Sequence, residues 1–128
     1  MALANIEHHI RIDAPRARVW AVLTEPALVE QWLGCIGYRA EIGTIFYMQP
    51  DPARRAAGSI EGATHCELET LEAPRRMVFS WFLPGTPRTH VAIELTENHD
   101  GSTTAMLVHS GWDQFEPDAI RQIRDMLD

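Results

Sequence analysis

Apolar and polar positions alternate along residues 5–13. Ile6, His8, Ile10 and Ile12 fall on one side, with Glu7, His9, Arg11 and Asp13 on the other. That period of two predicts a strand with one buried face. Ala14-Pro15 ends it, and Pro15 suits the first turn of a helix. The spacing of Val19, Trp20 and Leu23 predicts a short helix with one inward stripe. Thr24-Glu25-Pro26 closes that helix and opens a second. There Leu28 and Trp32, four apart, share a face, and Gly34 can cap the end.

The middle of the chain reads as strands divided by turn signals. Candidate strands run over 36–41, 44–49, 59–71, 76–83, 89–96 and 103–109. Gly43, Ala73-Pro74, Pro84-Gly85-Thr86-Pro87 and Asn98-His99-Asp100-Gly101 mark turns, the last of hairpin type. Residues 50–58, PDPARRAAG, read as a polar loop. Past Gly111-Trp112 the period becomes helical. Pro117 suits a helix start, and Ile120, Ile123 and Leu127 form its stripe. The order is one strand, two helices, six strands and a C-terminal helix. Short connections favour an antiparallel sheet, and its apolar face needs a cover. The fold class is α+β: a curved antiparallel sheet wrapped around the C-terminal helix, a helix-grip arrangement. The gap between them is where a ligand pocket is expected.

Composition narrows this picture. The chain has 128 residues, enough for one domain spanning 1–128. Hydrophobic residues make up 45% and charged residues 23%, which excludes wholesale disorder. Neither a leader nor a bilayer-spanning segment is legible. Cys35 and Cys66 carry no CxxC spacing. With no leader, they are expected as reduced thiols in a cytoplasmic protein. The formal charge of −7 argues against nucleic acid and anionic membranes as partners. All 11 basic residues are arginine, which excludes a Schiff-base lysine and a phosphate-loop lysine.

Several strings, taken in order, carry a resemblance. They are Ile10-x-Ile12-x-Ala14-Pro15, Val19-Trp20-x-x-Leu23-Thr24-x-Pro26, Trp32, Gly43-x-x-Phe46 and Glu61-Gly62. Val78-Phe79-Ser80-Trp81, Gly101-x-Thr103-Thr104 and His109-Ser110-Gly111-Trp112 complete the set. The chain resembles the START-like helix-grip superfamily called SRPBCC. Within it, the chain is most similar to the activator of heat-shock-protein-90 ATPase homologue family. The match spans roughly residues 6–112. Two departures stand out. The family commonly has two glycines where this chain has Gly43-Thr44, and its last helix usually runs past a second Gly-Trp. A helix over 117–128 is only about 18 Å long. On that reading the helix is cut, or it is short and the cavity is wide or covered by a second subunit, which suits a homodimer.

The alternation places Phe46 and Met48, Thr64 and Cys66, Phe79 and Trp81, Val91 and Ile93, and Met106 and Val108 on the concave face. Trp32 and Trp112 are expected to close its ends. These residues form either a ligand cavity or a filled core; the resemblance implies the cavity. His8, Thr64, Cys66, Ser80 and Ser110 are candidates for polar chemistry inside it, although nothing in their spacing brings them together. Neither His8-His9 nor His65-Cys66 suits chelation, because strand neighbours point to opposite faces. No metal and no cofactor is expected. His109-Ser110-Gly111-Trp112 reads as a structural junction, and Arg54-Arg55 and Arg75-Arg76 as solvated turns.

The leading expectation is a non-enzymatic carrier or sensor of a small hydrophobic or aromatic molecule. A cyclase- or hydrolase-like enzyme using the cavity's polar residues is one alternative. The resemblance implies another, a co-chaperone-like activator of a heat-shock ATPase acting through surface contacts.

Overall fold

The computed structural model describes residues 5–111. Seven strands and three helices follow in the order β1 (Ile6–Ile12), α1 (Arg16–Thr24), α2 (Pro26–Leu33), β2 (Cys35–Ile36), β3 (Ile45–Met48), α3 (Pro52–Ala56), β4 (Thr64–Glu72), β5 (Arg76–Phe82), β6 (Thr89–Glu97) and β7 (Thr103–Ser110). All seven strands join one curved antiparallel sheet, ordered β1-β7-β6-β5-β4-β3-β2. This is the α+β helix-grip fold expected from the element order. The helix expected over 117–128 lies outside the described residues.

Residues opposite one another in a ladder share a face. The register therefore assigns the concave side. Phe46 opposes Cys66, Cys66 opposes Trp81, Phe79 opposes Val91, and Met77 opposes Ile93. These side chains are buried and form one core, with Leu68 and Leu95 beside them. Val19 of α1 and Val29 of α2 close one side of it. Trp20 and Leu23 pack against the same core, as the stripe in α1 predicts. In α2 the buried position is Val29 rather than Leu28, and Trp32 is largely exposed. Gly34 ends α2 at φ 65°, a left-handed cap that glycine takes without strain.

Four local expectations change. The strand expected over 36–41 shrinks to Cys35–Ile36. Gly37 at φ 80° breaks it, and Tyr38 is buried with its ring edge-on to Phe46 at 5.2 Å. The polar loop 50–58 contains the short helix α3. Asp51 caps it, its Oδ1 accepting from the amides of Ala53 at 2.9 Å and Arg54 at 3.4 Å. The strand expected from residue 59 starts only at Thr64. Residues 59–63 form turns, held by Gln49 Nε2, which donates to the carbonyls of Ser59 at 3.0 Å and Glu61 at 2.9 Å. A bulge between Leu68 and Thr70 leaves Glu69 outside the β4–β5 ladder. Its carboxylate reaches across β5 to His90 Nδ1 at 2.7 Å on the convex face.

The β6–β7 hairpin differs most consequentially. A four-residue turn over 98–101 would oppose Glu97 to residue 102 and turn even-numbered residues of β7 inward. The actual loop holds five residues, and Glu97 pairs with Thr103. Ser102 belongs to the loop. Its carbonyl accepts from the Asn98 amide at 2.8 Å, and its own amide donates to Asp100 Oδ1 at 3.0 Å. A shift of one residue exchanges the faces of the whole strand.

Candidate ligand-binding site

That register decides what the sheet presents to its concave side at β7. Val91 opposes His109 and Ile93 opposes Leu107, so His109 and Leu107 point inward. Met106 opposes Glu94 and Val108 opposes Ala92, which places both on the convex face. The assignment of Met106 and Val108 to the cavity is therefore corrected, and the cause is the extra loop residue.

A cavity of about 160 Å³ lies between the C-terminal end of α2 and the concave face. Trp32 and Leu33 from the helix, Met48, Phe79, Trp81, Val91 and Ile93 from the middle strands, and Leu107 and His109 from β7 line it. Six of these are the sequence-derived Trp32, Met48, Phe79, Trp81, Val91 and Ile93. Phe46, Thr64 and Cys66 share the face but are packed into the core behind the wall rather than lining the space. Phe46 supports Phe79, with ring centroids 5.6 Å apart. Trp112 lies outside the described residues. Leu33, Leu107 and His109 escaped the sequence reading. Leu33 was legible, because it lies one turn from the buried Val29.

Trp32 stands at the mouth. It is 43% exposed, and its indole Nε1 donates to the Val22 carbonyl at 2.8 Å. That bond ties the ring to α1. β1 shows the same inward parity, yet Ile10 is 56% exposed and His8 is exposed.

His109 is the one polar residue among the described lining, and it is only 4% exposed. Its Nε2 lies 2.7 Å from Thr89 Oγ1, whose hydroxyl donates to the Trp81 carbonyl at 2.6 Å. A threonine has one proton to give. With that proton on the carbonyl, His109 must donate from Nε2 to the Thr89 oxygen. The ring therefore carries a proton on Nε2. Burial, with His90 contributing, lowers its pKa to about 4. The Trp81 indole lies edge-on to it at 5.1 Å. The arrangement resembles an activated hydroxyl but has the opposite polarity, because the imidazole gives a proton rather than taking one.

The other polar candidates do not converge. Ser80 and Ser110 oppose His90 and face the convex side. Ser80 Oγ accepts from the Glu67 amide at 3.1 Å. Both thiols are free and buried. Burial, then Glu30, pushes Cys35 up to about 11, and burial pushes Cys66 higher still. Among the described residues no cluster of three metal-ligating groups exists. No described helix is long and apolar enough to cross a membrane.

A second apolar cleft, also about 160 Å³, lies between β1 and α1. Ile12, Ala14, Val19 and Val22 line it, and Arg18 sits on its rim.

The fold and sequence have known relatives. Protein MLL2253 from Mesorhizobium loti is 26% identical, with a TM-score of 0.73 over 93% of this chain and 82% of that one. BH1534 from Bacillus halodurans is 31% identical, with a TM-score of 0.63 over 88% of this chain and 72% of that one. CalU16 from Micromonospora echinospora is 26% identical, with a TM-score of 0.66. That match covers 84% of this chain but only 59% of CalU16. No curated protein sequence matches the chain. The family described as Activator of Hsp90 ATPase homolog 1-like protein matches residues 13–123. The chain belongs to that family.

Proposed function

We propose that this protein binds a small apolar molecule in the cavity beneath Trp32 and acts as a carrier or sensor. The observation that carries this reading is the cavity itself. It is about 160 Å³, walled by Phe79, Trp81, Val91, Ile93 and Leu107, and backed by a packed core. Space of that kind excludes water poorly satisfied by apolar walls and favours an apolar guest. Burial holds both thiols protonated, and the Thr89 hydroxyl is engaged with a carbonyl, so these three groups suit packing rather than nucleophilic attack.

A ligand that binds only the folded state raises its stability in proportion to occupancy. A panel of apolar compounds tested by thermal unfolding is expected to contain members that raise Tm by several degrees at saturation. A panel without effect, together with xenon absent from the cavity in a pressurised crystal, would remove the proposal.

The family description favours a second reading, activation of a heat-shock ATPase through surface contacts. Purified protein would then accelerate the ATPase of its own organism's chaperone. An unchanged rate at saturating concentration disposes of that reading and leaves the cavity reading intact.

A further inference from the structure

We infer that the cavity selects an uncharged, single-ring hydrophobic molecule and rejects carboxylates of the same size. This rests on the reading that the cavity holds a ligand and adds the chemical class.

Three observations carry it. The first is volume. An engineered cavity of about 150 Å³ accepts benzene, and this one has about 160 Å³. On the α2 side a larger guest meets Trp32, whose indole is tied to the Val22 carbonyl at 2.8 Å. The second is the shape and softness of the walls. Phe79 and Trp81 put aromatic rings into the wall, and Met48 adapts to irregular outlines. The third is charge. None of the described lining residues is an arginine or a carboxylate. The single ionisable one, His109, turns Nε2–H toward Thr89 at 2.7 Å. Burial lowers its pKa to about 4, so at neutral pH it brings no cation to an anionic guest.

The cleft between β1 and α1 makes the contrast within the same molecule. It has a similar volume and apolar walls, but Arg18 stands on its rim. Of these two apolar clefts, a carboxylate is directed to this one, where a cation meets it.

Fluorobenzene and 4-fluorobenzoate test the inference on the full chain at pH 7 by fluorine NMR. Fluorobenzene is expected to bind at least about 100-fold more tightly than 4-fluorobenzoate, because the described lining offers the carboxylate no charged partner. The benzoate binding as tightly as fluorobenzene, and competing with it, overturns the selectivity and leaves the cavity reading standing. Neither compound binding, while larger apolar compounds do, overturns the size argument alone. Location is checked with Leu107→Trp, which fills the space and should abolish fluorobenzene binding. Should that variant not fold, Val91→Phe does the same with a smaller increase in volume. Fluorobenzene binding that survives in a folded, filled variant places the guest elsewhere and overturns both readings. Residual benzoate binding should vanish with Arg18→Gln and be indifferent to Leu107→Trp; the reverse pattern also overturns the selectivity.

Discussion

Thr89 Oγ1 lies 2.7 Å from His109 Nε2 and donates its only proton to the Trp81 carbonyl at 2.6 Å. This relation couples two neighbouring strands to the cavity wall and fixes Nε2 of the ring as a donor. It has a direct consequence for stability. The folded state holds the His109 pKa near 4, mainly through burial, whereas the ordinary value is 6.5. Between those values the unfolded chain binds the extra proton and the folded one does not. Stability is then complete above about pH 6.5 and falls as the pH drops toward 4, by at most about 3 kcal/mol. Urea unfolding at a series of pH values should show this loss in the wild type. His109→Gln keeps a donor for Thr89 and should flatten that part of the profile. An unchanged slope in the variant would assign the acid sensitivity to other groups.

Gln49 organises the approach to β4. It is 1% exposed, and its amide nitrogen serves the carbonyls of Ser59 and Glu61. Its Oε1 accepts from the Asp51 amide at 3.2 Å. Gln49→Leu leaves those backbone groups without their partner at similar volume, a loss of about 2–4 kcal/mol. Gln49→Glu should be worse at neutral pH, because a carboxylate then faces two carbonyl oxygens. Equilibrium denaturation orders the three proteins. A leucine variant as stable as the wild type would mean that water replaces the amide without cost.

The two thiols should be inert in the folded protein. Cys35 is on β2 and Cys66 on β4, with β3 between them. Two strand spacings separate their backbones by roughly 10 Å, beyond the reach of a disulfide. Burial raises both pKa values, Cys35 to about 11. A thiol reagent at pH 8 should therefore label neither in native buffer and both in denaturant, with native labelling limited by opening of the fold. Rapid stoichiometric labelling of Cys35 in native buffer would contradict the burial shown for β2.

Trp32 offers a local probe. Its indole bond to Val22 is at the surface, so Trp32→Phe should cost only about 0.5–1.5 kcal/mol. The same change widens the cavity mouth. An apolar guest should then dissociate faster, with a smaller effect on its association rate. Stopped-flow fluorescence from the remaining tryptophans separates the two rates. Equal dissociation rates in both proteins would place the entry path away from Trp32.

How far the sequence foretold this site depends on which strand is considered. In β6 and the first half of β4, apolar residues recur at every second position, so Cys66, Val91 and Ile93 show their face directly; in β5 the polar Arg76 and Ser80 leave Phe79 and Trp81 on the other face. β7 carries no such contrast: Ala105, Met106, Leu107 and Val108 are all apolar. Its face follows only from the length of the loop before it. That length depends on Ser102 bonding within the turn rather than in the ladder, a matter of one amide and one carboxylate. Gly37 shows the same limit. Its positive φ lets the chain leave β2 and bury Tyr38, where alternation alone continues the strand. His109 was hidden for both reasons, since it lies on the misread strand and its role depends on Thr89, twenty residues earlier.

The register of β7 is itself open to a direct comparison of neighbours. Leu107 lines the cavity opposite Ile93, while Val108 lies opposite Ala92 on the convex face. Leu107→Thr puts a hydroxyl among apolar walls and removes packed carbons, and should cost about 2–3 kcal/mol. Val108→Thr keeps the branched shape a strand favours and meets solvent on a half-exposed face. It should cost less than about 1 kcal/mol. Only the first should weaken binding of an apolar guest. Were the even-numbered residues inward, the two effects would exchange. The ratio of the two destabilisations, measured by urea unfolding, therefore reads out the five-residue hairpin without a structure, and Val108→Thr being the costlier change would refute it.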